Sequence, residues 1–387
     1  MTVPTDDLSS VRTLYREIED VGYDRAFSFE AKHDPFLPLA TAAEHTDHIQ
    51  LGTAIAIAFA RTPMTLANIG WDLQTLTGGR FTLGLGSQIA PHITQRFSMP
   101  WSDPVGRMRE LVLGIRAIWD AWTDGTRLSF DGDFYTHTRM IPAFDPGPNE
   151  FGRPPILTAG FGPAMTAVSG EVADGFLVHP LNSRRSLLEL TVPAIERGLA
   201  AAGRPALADP ASTFDLTAVT IVVTGRTAEE LDRSREAVRQ QLAFYGTTPA
   251  YRPVFDVHDR GELHPELKRR GAAGEWVAMA ELIDDEFLDE IAVIGEPHEI
   301  APKIRARLAG ITDRDAAEAL RGREFWLARA DLPPLAKEKP RDRGDIRWIA
   351  DIPGLKHRPL VDRGDERAAL EDGVEHAELW MILDGRG

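Results

Sequence analysis

The 387-residue chain contains no cysteine, which excludes disulfides, thiolate nucleophiles, Cys-ligated zinc and iron–sulfur clusters. It also lacks an apolar run of bilayer length. The longest uncharged apolar run, Leu51 to Ala60, covers about half of the roughly 20 residues that a spanning helix needs. Positive charge is scarce. With 43 Lys and Arg against 59 Asp and Glu, the formal charge is −16, which argues against nucleic acid and anionic membranes as partners. The start, Met1-Thr-Val-Pro-Thr-Asp-Asp7, has neither the basic cluster nor the apolar stretch of a secretory signal, so a cytoplasmic protein is expected. Walker loops, Gly-x-Ser-x-Gly elbows and His-Glu-x-x-His are all missing. What is present is apolar content: 43% hydrophobic residues suffice for a large core.

That content is patterned as short apolar runs alternating with helical periodicity. Strands are expected at Arg25–Glu30, Ile49–Phe59, Arg80–Gly86, Pro155–Gly160, Gly175–His179, Phe214–Thr224 and Glu290–Ile294. Helices are expected at Phe36–His45, Pro63–Leu76, Val105–Trp122, Pro163–Val172, Leu187–Ala202, Thr227–Phe244 and Pro297–Leu308. Gly78-Gly79 and Gly203 act as helix stops, and Thr227-Ala-Glu-Glu230 as a capping box. Strand–helix units in series imply a parallel sheet with helices outside, and more than 300 residues without a linker favour an α/β (β/α)8 barrel over two doubly wound domains. Segments 124–154 and 245–285 read as irregular insertions on the loop face. Composition shifts near residue 315: 29 of the last 73 residues are charged, against 73 of the first 314. The expected division is therefore a barrel at 1–314 and a charged C-terminal extension at 315–387.

The chemistry-bearing motifs each have a bland reading beside the functional one. His45-x-x-His48 has ligand-like spacing but no third ligand nearby, so a solvated helix end is the simpler reading and no metal is expected. Gly84-Leu-Gly86 lacks the third glycine of a dinucleotide fingerprint. Gly160-Phe-Gly162-Pro163 joins a strand to a helix whose N–H groups would suit a phosphate, although a tight turn needs glycine anyway. Glu30-Ala-Lys32-His33-Asp34 follows a strand and offers a carboxylate, an ammonium and an imidazole for proton transfer, or an N-cap at Asp34. Arg61 stands at the end of an apolar strand, ready for an anionic ligand or for a neighbouring helix.

Taken in order, these segments resemble the luciferase-like monooxygenase superfamily, and within it the coenzyme F420-dependent oxidoreductases. The resemblance is carried by Gly22-Tyr-Asp, by Glu30-Ala-Lys-His-Asp-Pro-Phe36, by Leu51 to Pro63 and by Thr77-Gly-Gly-Arg-Phe-Thr-Leu-Gly-Leu-Gly86. Ala159-Gly-Phe-Gly-Pro163, Gly170-Glu-Val-Ala-Asp-Gly175 and Gly295-Glu-Pro-His-Glu-Ile300 follow. It spans about residues 8 to 312.

The resemblance implies a (β/α)8 barrel with a flavin or deazaflavin at the carboxyl ends of its strands. It implies a bulged third strand with a non-proline cis peptide, here Ala54–Ile55, behind the ring. Gly160, Phe161, Gly162 and Ala164 match the cofactor-phosphate turn. Glu30 falls where relatives carry an acidic residue beside the ring. His33 comes three residues later, where relatives place a histidine immediately. Glu30 and His33 are thus the candidate proton carriers, with Lys32 setting the local charge, and Gln88 and His92 are candidate pocket residues. Arg61 and Arg96 are candidate partners for a deazaflavin's glutamate tail.

The activity implied is hydride transfer between F420 and a small organic substrate of alcohol, enone or imine type, by a homodimer. An FMN-dependent monooxygenase using reduced flavin and oxygen is the alternative, and a non-catalytic cofactor binder the second alternative. Two departures stand out: a very short first strand within Met1–Asp7, and a charged tail where relatives carry an apolar eighth strand. Phe325-Trp-Leu327 or Leu379 to Leu383 would have to substitute for that strand.

Overall fold

The computed structural model describes residues 2, 3, 7–309 and 311. The chain falls into two compact units, one of Met1–His179 with Leu190–Ala218 and one of Pro180–Glu189 with Val219–Ile311. The tail beyond Ile311, including both candidate substitute strands and the expected boundary at 314/315, lies outside the described residues.

The first unit alternates strand and helix: β1 (Thr2–Val3), α1 (Val11–Val21), β2 (Arg25–Ser28), α2 (Phe36–Ala43), β3 (Gln50–Thr53), β4 (Ala56–Ile57), α3 (Pro63–Leu76), β5 (Phe81–Gly86) and α4 (Pro104–Asp124). After a small hairpin of β6 (Phe130–Asp131) and β7 (Thr136–His137) come β8 (Ile156–Ala159), α5 (Pro163–Val172), β9 (Gly175–Val178), the helix Val192–Ala201 and β10 (Asp215–Ala218). Its main sheet runs β1-β2-β3-β5-β8-β9-β10, with β4 also on β5, and every pair in it is parallel.

The sheet curls. Arg25, which opens β2, pairs with Asp215, which opens β10. On a flat sheet, strands five places apart would stand roughly 24 Å from each other. Curling also brings Phe27 of β2 against Leu157 of β8 and Leu177 of β9 in one buried cluster. The architecture is α/β of the TIM-barrel type, as the strand–helix alternation predicts.

Helix α4 shows how the pattern becomes packing. Asp103 caps it by accepting the Gly106 N–H at 3.1 Å, and Gly125, at φ 62°, ends it. Met108, Leu111, Val112, Ile115, Ile118, Trp119 and Trp122 form its buried stripe, each worth roughly 1.5–3 kcal/mol of burial. Arg80 and Asp174, from two of the family-like motifs, fix the sheet at its other end. Arg80 donates to the carbonyls of Thr77, Ile49 and Thr46 at 2.7, 2.7 and 3.0 Å. Asp174 accepts from Ile156 N–H and from Arg116, both at 2.8 Å.

In the second unit, β11 (Ile221–Thr224) pairs in parallel with β12 (Ala292–Gly295). The helix Ala228–Tyr245 follows β11, and Pro297–Leu308 follows β12. Gly295-Glu-Pro-His-Glu-Ile300 is the start of that last helix, with Glu296 and Glu299 capping each other reciprocally.

Several sequence expectations are corrected. The β-branched run Phe214–Thr224 is two strands, 215–218 and 221–224, because it breaks at Val219-Thr220 between the two units. Ile49–Phe59 is interrupted after Thr53. Leu187–Ala202 opens with a π turn at Leu187–Thr191. Segment 245–285 is a chain of short helices, among them His264–Ala272. Thr227 caps its helix by accepting the Glu230 N–H at 3.2 Å, but Glu230 reaches past Thr227 to the Arg226 N–H at 2.7 Å, so the box is half formed.

Candidate functional site

The third strand carries a bulge. Gly52 pairs with Thr82 and Ala56 with Leu85, so four steps on one strand face three on the other and one residue is extra. The peptide between Ala54 and Ile55 is cis. Thr53 fills the gap in the ladder, its hydroxyl donating to the Gly84 carbonyl at 2.6 Å and accepting the Gly84 N–H at 2.9 Å. On the other side the bulge stays bonded to the chain leaving β2. Ala54 N–H reaches Ser28 at 2.8 Å, and the Ile55 carbonyl accepts from Glu30 at 3.0 Å. Gly86 is required here, since a Cβ would sit 2.9 Å from the Ile55 side chain.

Glu30 is tied to the same place by its side chain. Its carboxylate takes the Ile57 N–H at 2.7 Å and two Arg61 bonds at 2.6 and 3.2 Å. Arg61 also binds Asp34 at 2.8 Å and lies over the Phe36 ring at 5.3 Å. Burial works against the Arg61 charge, but Glu30 and Asp34 outweigh it and hold the guanidinium above its ordinary value. The other Asp34 oxygen accepts the Phe36 N–H at 2.9 Å and so caps α2. The N-cap reading of Asp34 therefore holds, and the same carboxylate is ion-paired with Arg61. Two carboxylates neutralise Arg61, which removes it as a partner for an anionic tail. Arg96, exposed, donates to the Ala31 carbonyl at 2.7 Å and packs on Phe97.

The floor beside the bulge is apolar and small: Ala54, Ile55 and Ala159 pack against Phe27, Leu157 and Leu177. At the end of β8, Gly162 has φ 84°, a backbone suited to glycine. A Cβ there would meet nothing within 4 Å. It opens α5 with Pro163 in the first turn and no side-chain cap, leaving the helix terminus to an outside acceptor. Phe161 of this turn stands edge-on to His179 just past β9, with ring centroids 4.7 Å apart at 63°.

The structure thus places Glu30, Lys32 and His33 after β2, Ala54 and Ile55 in the bulge, Gln88 after β5, and Gly160, Phe161, Gly162 and Ala164 between β8 and α5, all at the carboxyl ends of one curled sheet. His33 is half-buried and Lys32 exposed. Gln88 has φ 60°, and its side chain accepts the Ile89 N–H at 3.1 Å. His92 is half-buried at the start of the π turn His92–Arg96 beyond. His45 and His48 turn to different partners, the Thr41 carbonyl at 2.9 Å and Glu19 at 3.3 Å.

Two residues were missed from the sequence. His179 reads there as the end of an apolar strand. Arg107, in α4, sits over Phe134 at 4.8 Å and Tyr135 at 5.7 Å of the hairpin and over Phe59 at 6.0 Å. A basic residue three places into a helical pattern gave no signal of that packing. An apolar floor beside an uncapped glycine turn fits a heterocycle carrying a phosphorylated chain.

A 297-residue stretch is 53% identical to an uncharacterised protein of Mycobacterium tuberculosis, covering 77% of this chain and 86% of that one. The 5,10-methylenetetrahydromethanopterin reductase of Archaeoglobus fulgidus is 26% identical over 305 residues, covering 76% of this chain and 85% of that one. Among solved structures, the coenzyme F420-dependent tetrahydromethanopterin reductase of Methanopyrus kandleri superposes with a TM-score of 0.67 at 21% identity, covering 86% of this chain and 93% of that one, which establishes a shared fold. Residues 1–314 match the luciferase-like monooxygenase family model, and the chain belongs to that family.

Proposed function

We propose that the protein is a coenzyme F420-dependent oxidoreductase that transfers hydride between the deazaflavin and a small organic substrate with an alcohol, enone or imine centre. The observation that carries this reading is the pairing of the bulged floor at Ala54–Ile55 with the uncapped Gly162 turn at the ends of one sheet. The relative named as a methylenetetrahydromethanopterin reductase supports it. FMN with oxygen is the competing chemistry, in keeping with the family's name.

The floor would hold the ring, and the α5 terminus from Gly162 to Ala164 would hold the phosphate. A reduced deazaflavin supplies a hydride from C5, and the chain's task is to orient the acceptor, exclude water and move one proton. Glu30 is committed to the Ile57 N–H and to Arg61 and so holds the bulge, which leaves His33 to carry the proton, with Lys32 adding positive charge nearby. A homodimer in the cytoplasm completes the proposal. Among the described residues no helix is long and apolar enough to cross a membrane.

The test is anaerobic turnover of reduced F420 with a panel of ketones, enones and cyclic imines, followed by the return of the oxidised deazaflavin's absorbance. Turnover supports the proposal. Oxygenation of a substrate with reduced FMN, and no reaction with F420, overturns it.

A further inference from the structure

Four cations of this acidic chain meet in one cavity of the second unit. The cavity lies against β12, from Ala292 to Ile294, and its volume is about 460 Å³. Arg184, Arg235, Lys303 and Arg307 line it, against two carboxylates, Asp289 and Glu290. Its lining is therefore net positive in a protein whose formal charge is −16. Lys303 and Arg307 stand one turn apart on the helix Pro297–Leu308, which puts both on one face. From there Lys303 donates to the Ile294 carbonyl at 2.9 Å and Arg307 to the Ile291 carbonyl at 2.7 Å. Arg184 meets the end of the same helix, donating to the carbonyls of Arg307, at 3.0 Å, and Ala309.

Lys303 is neutralised by Glu299 at 3.2 Å, but the three guanidiniums have no such partner. Among the described residues Arg184 and Arg307 bond only to carbonyl oxygens, and the buried Nε of Arg307 has no acceptor. Arg235 has Asp289 at 3.9 Å, beyond hydrogen-bond reach. Other arginines of this unit, Arg185, Arg260, Arg269 and Arg270, each hold a carboxylate at 3.0 Å or less. Burial pushes Arg307 down to about 10, against the pull of Glu290. A desolvated cation without a bonded anion is costly, and an anion entering the cavity would offset that cost.

We propose that this cavity binds a small organic anion, whose phosphate or carboxylate group is held by the guanidiniums of Arg184, Arg235 and Arg307. The planar guanidinium fork matches oxyanions of both kinds, and the volume falls within the roughly 300–1,000 Å³ of small-molecule sites. The side chains of Asp289 and Glu290, 64% and 53% exposed, are left to accept hydroxyl or amine hydrogens of the same ligand. This site does not depend on the proposed function.

The experiment titrates the full chain with inorganic phosphate, glycerol 3-phosphate and citrate by calorimetry, in a buffer without other polyvalent anions and without F420 or FMN. Arg184→Gln, Arg235→Gln and Arg307→Gln are titrated beside the wild type, with folding read by thermal denaturation. Expected is saturable one-site binding of glycerol 3-phosphate or citrate at about 1 mM or tighter, weakened about tenfold in each folded variant. Tighter glycerol 3-phosphate assigns the site to phosphate and tighter citrate to carboxylate, and either supports the proposal. Weaker or unsaturable binding of every probe overturns it. Saturable binding that is unchanged in folded Arg184→Gln and Arg235→Gln also overturns it, because the anion then sits elsewhere, as at the α5 terminus. If Arg307→Gln does not fold, the two other variants decide.

Discussion

Glu30 and Arg61 meet at 2.6 Å beside the bulged strand, with the same Glu30 oxygen also accepting the Ile57 N–H at 2.7 Å. Both side chains are largely buried, 6% and 14% exposed. Removing one partner leaves an uncompensated charge. Arg61→Ala is expected to cost about 3–5 kcal/mol, and Glu30→Met in that background to restore part of it. Urea denaturation of the two single variants and the double variant measures both. Additive losses would show that the pair is not coupled.

Glu19 provides a pH prediction. Its carboxylate, 1% exposed, accepts N–H groups of His48, Ile49 and Asp47 at 2.7, 2.8 and 2.9 Å. Burial raises this carboxyl, but the three backbone bonds outweigh it and hold it below 4.5. A depressed folded value means stability that is present above the unfolded value and lost as pH falls through the folded one. Glu19→Gln should therefore cost about 1.5–3 kcal/mol at pH 7, and the gap between variant and wild type should close below pH 4.5. A gap that stays constant down to acid pH would contradict this.

How much of this was readable beforehand differs by element. Strand and helix order followed from apolar spacing, because the helices bury one face while strands such as β5, β9 and β11 are buried along their whole length. The Glu30–Arg61–Asp34 cluster was visible only as three separate polar residues, since a 31-residue separation in sequence says nothing about contact across neighbouring strands. The break at Val219-Thr220 was hidden inside one run, Phe214–Thr224, that holds no glycine or proline to mark it. The cis peptide at Ala54–Ile55 came from family resemblance alone. The contact of His179 with Phe161 escaped because it joins the ends of two neighbouring strands, which no local pattern encodes.

Gly86 links the floor to the sheet. A larger side chain there would collide with Ile55, whose atoms lie 2.9 Å from a Cβ at that position. Gly86→Val is expected to displace Ile55, cost about 1–3 kcal/mol of stability and weaken cofactor binding at least about tenfold. Wild-type affinity in a folded Gly86→Val variant would remove Ile55 from the cofactor's floor.

Glu110 anchors the inserted hairpin by accepting the N–H groups of Asp133, Phe134 and Tyr135 at 3.0, 2.8 and 2.6 Å. Glu110→Ala should speed amide exchange at those three residues while leaving α3 and the main sheet protected. Unchanged exchange would mean that the packing of Arg107 on Phe134 and Tyr135 is sufficient by itself.

The most direct measurement is equilibrium binding of the purified chain to oxidised F420 and to FMN, side by side, by fluorescence. The account predicts F420 binding at least about tenfold tighter than FMN. Tighter binding of FMN would contradict it and move the monooxygenase reading to the front.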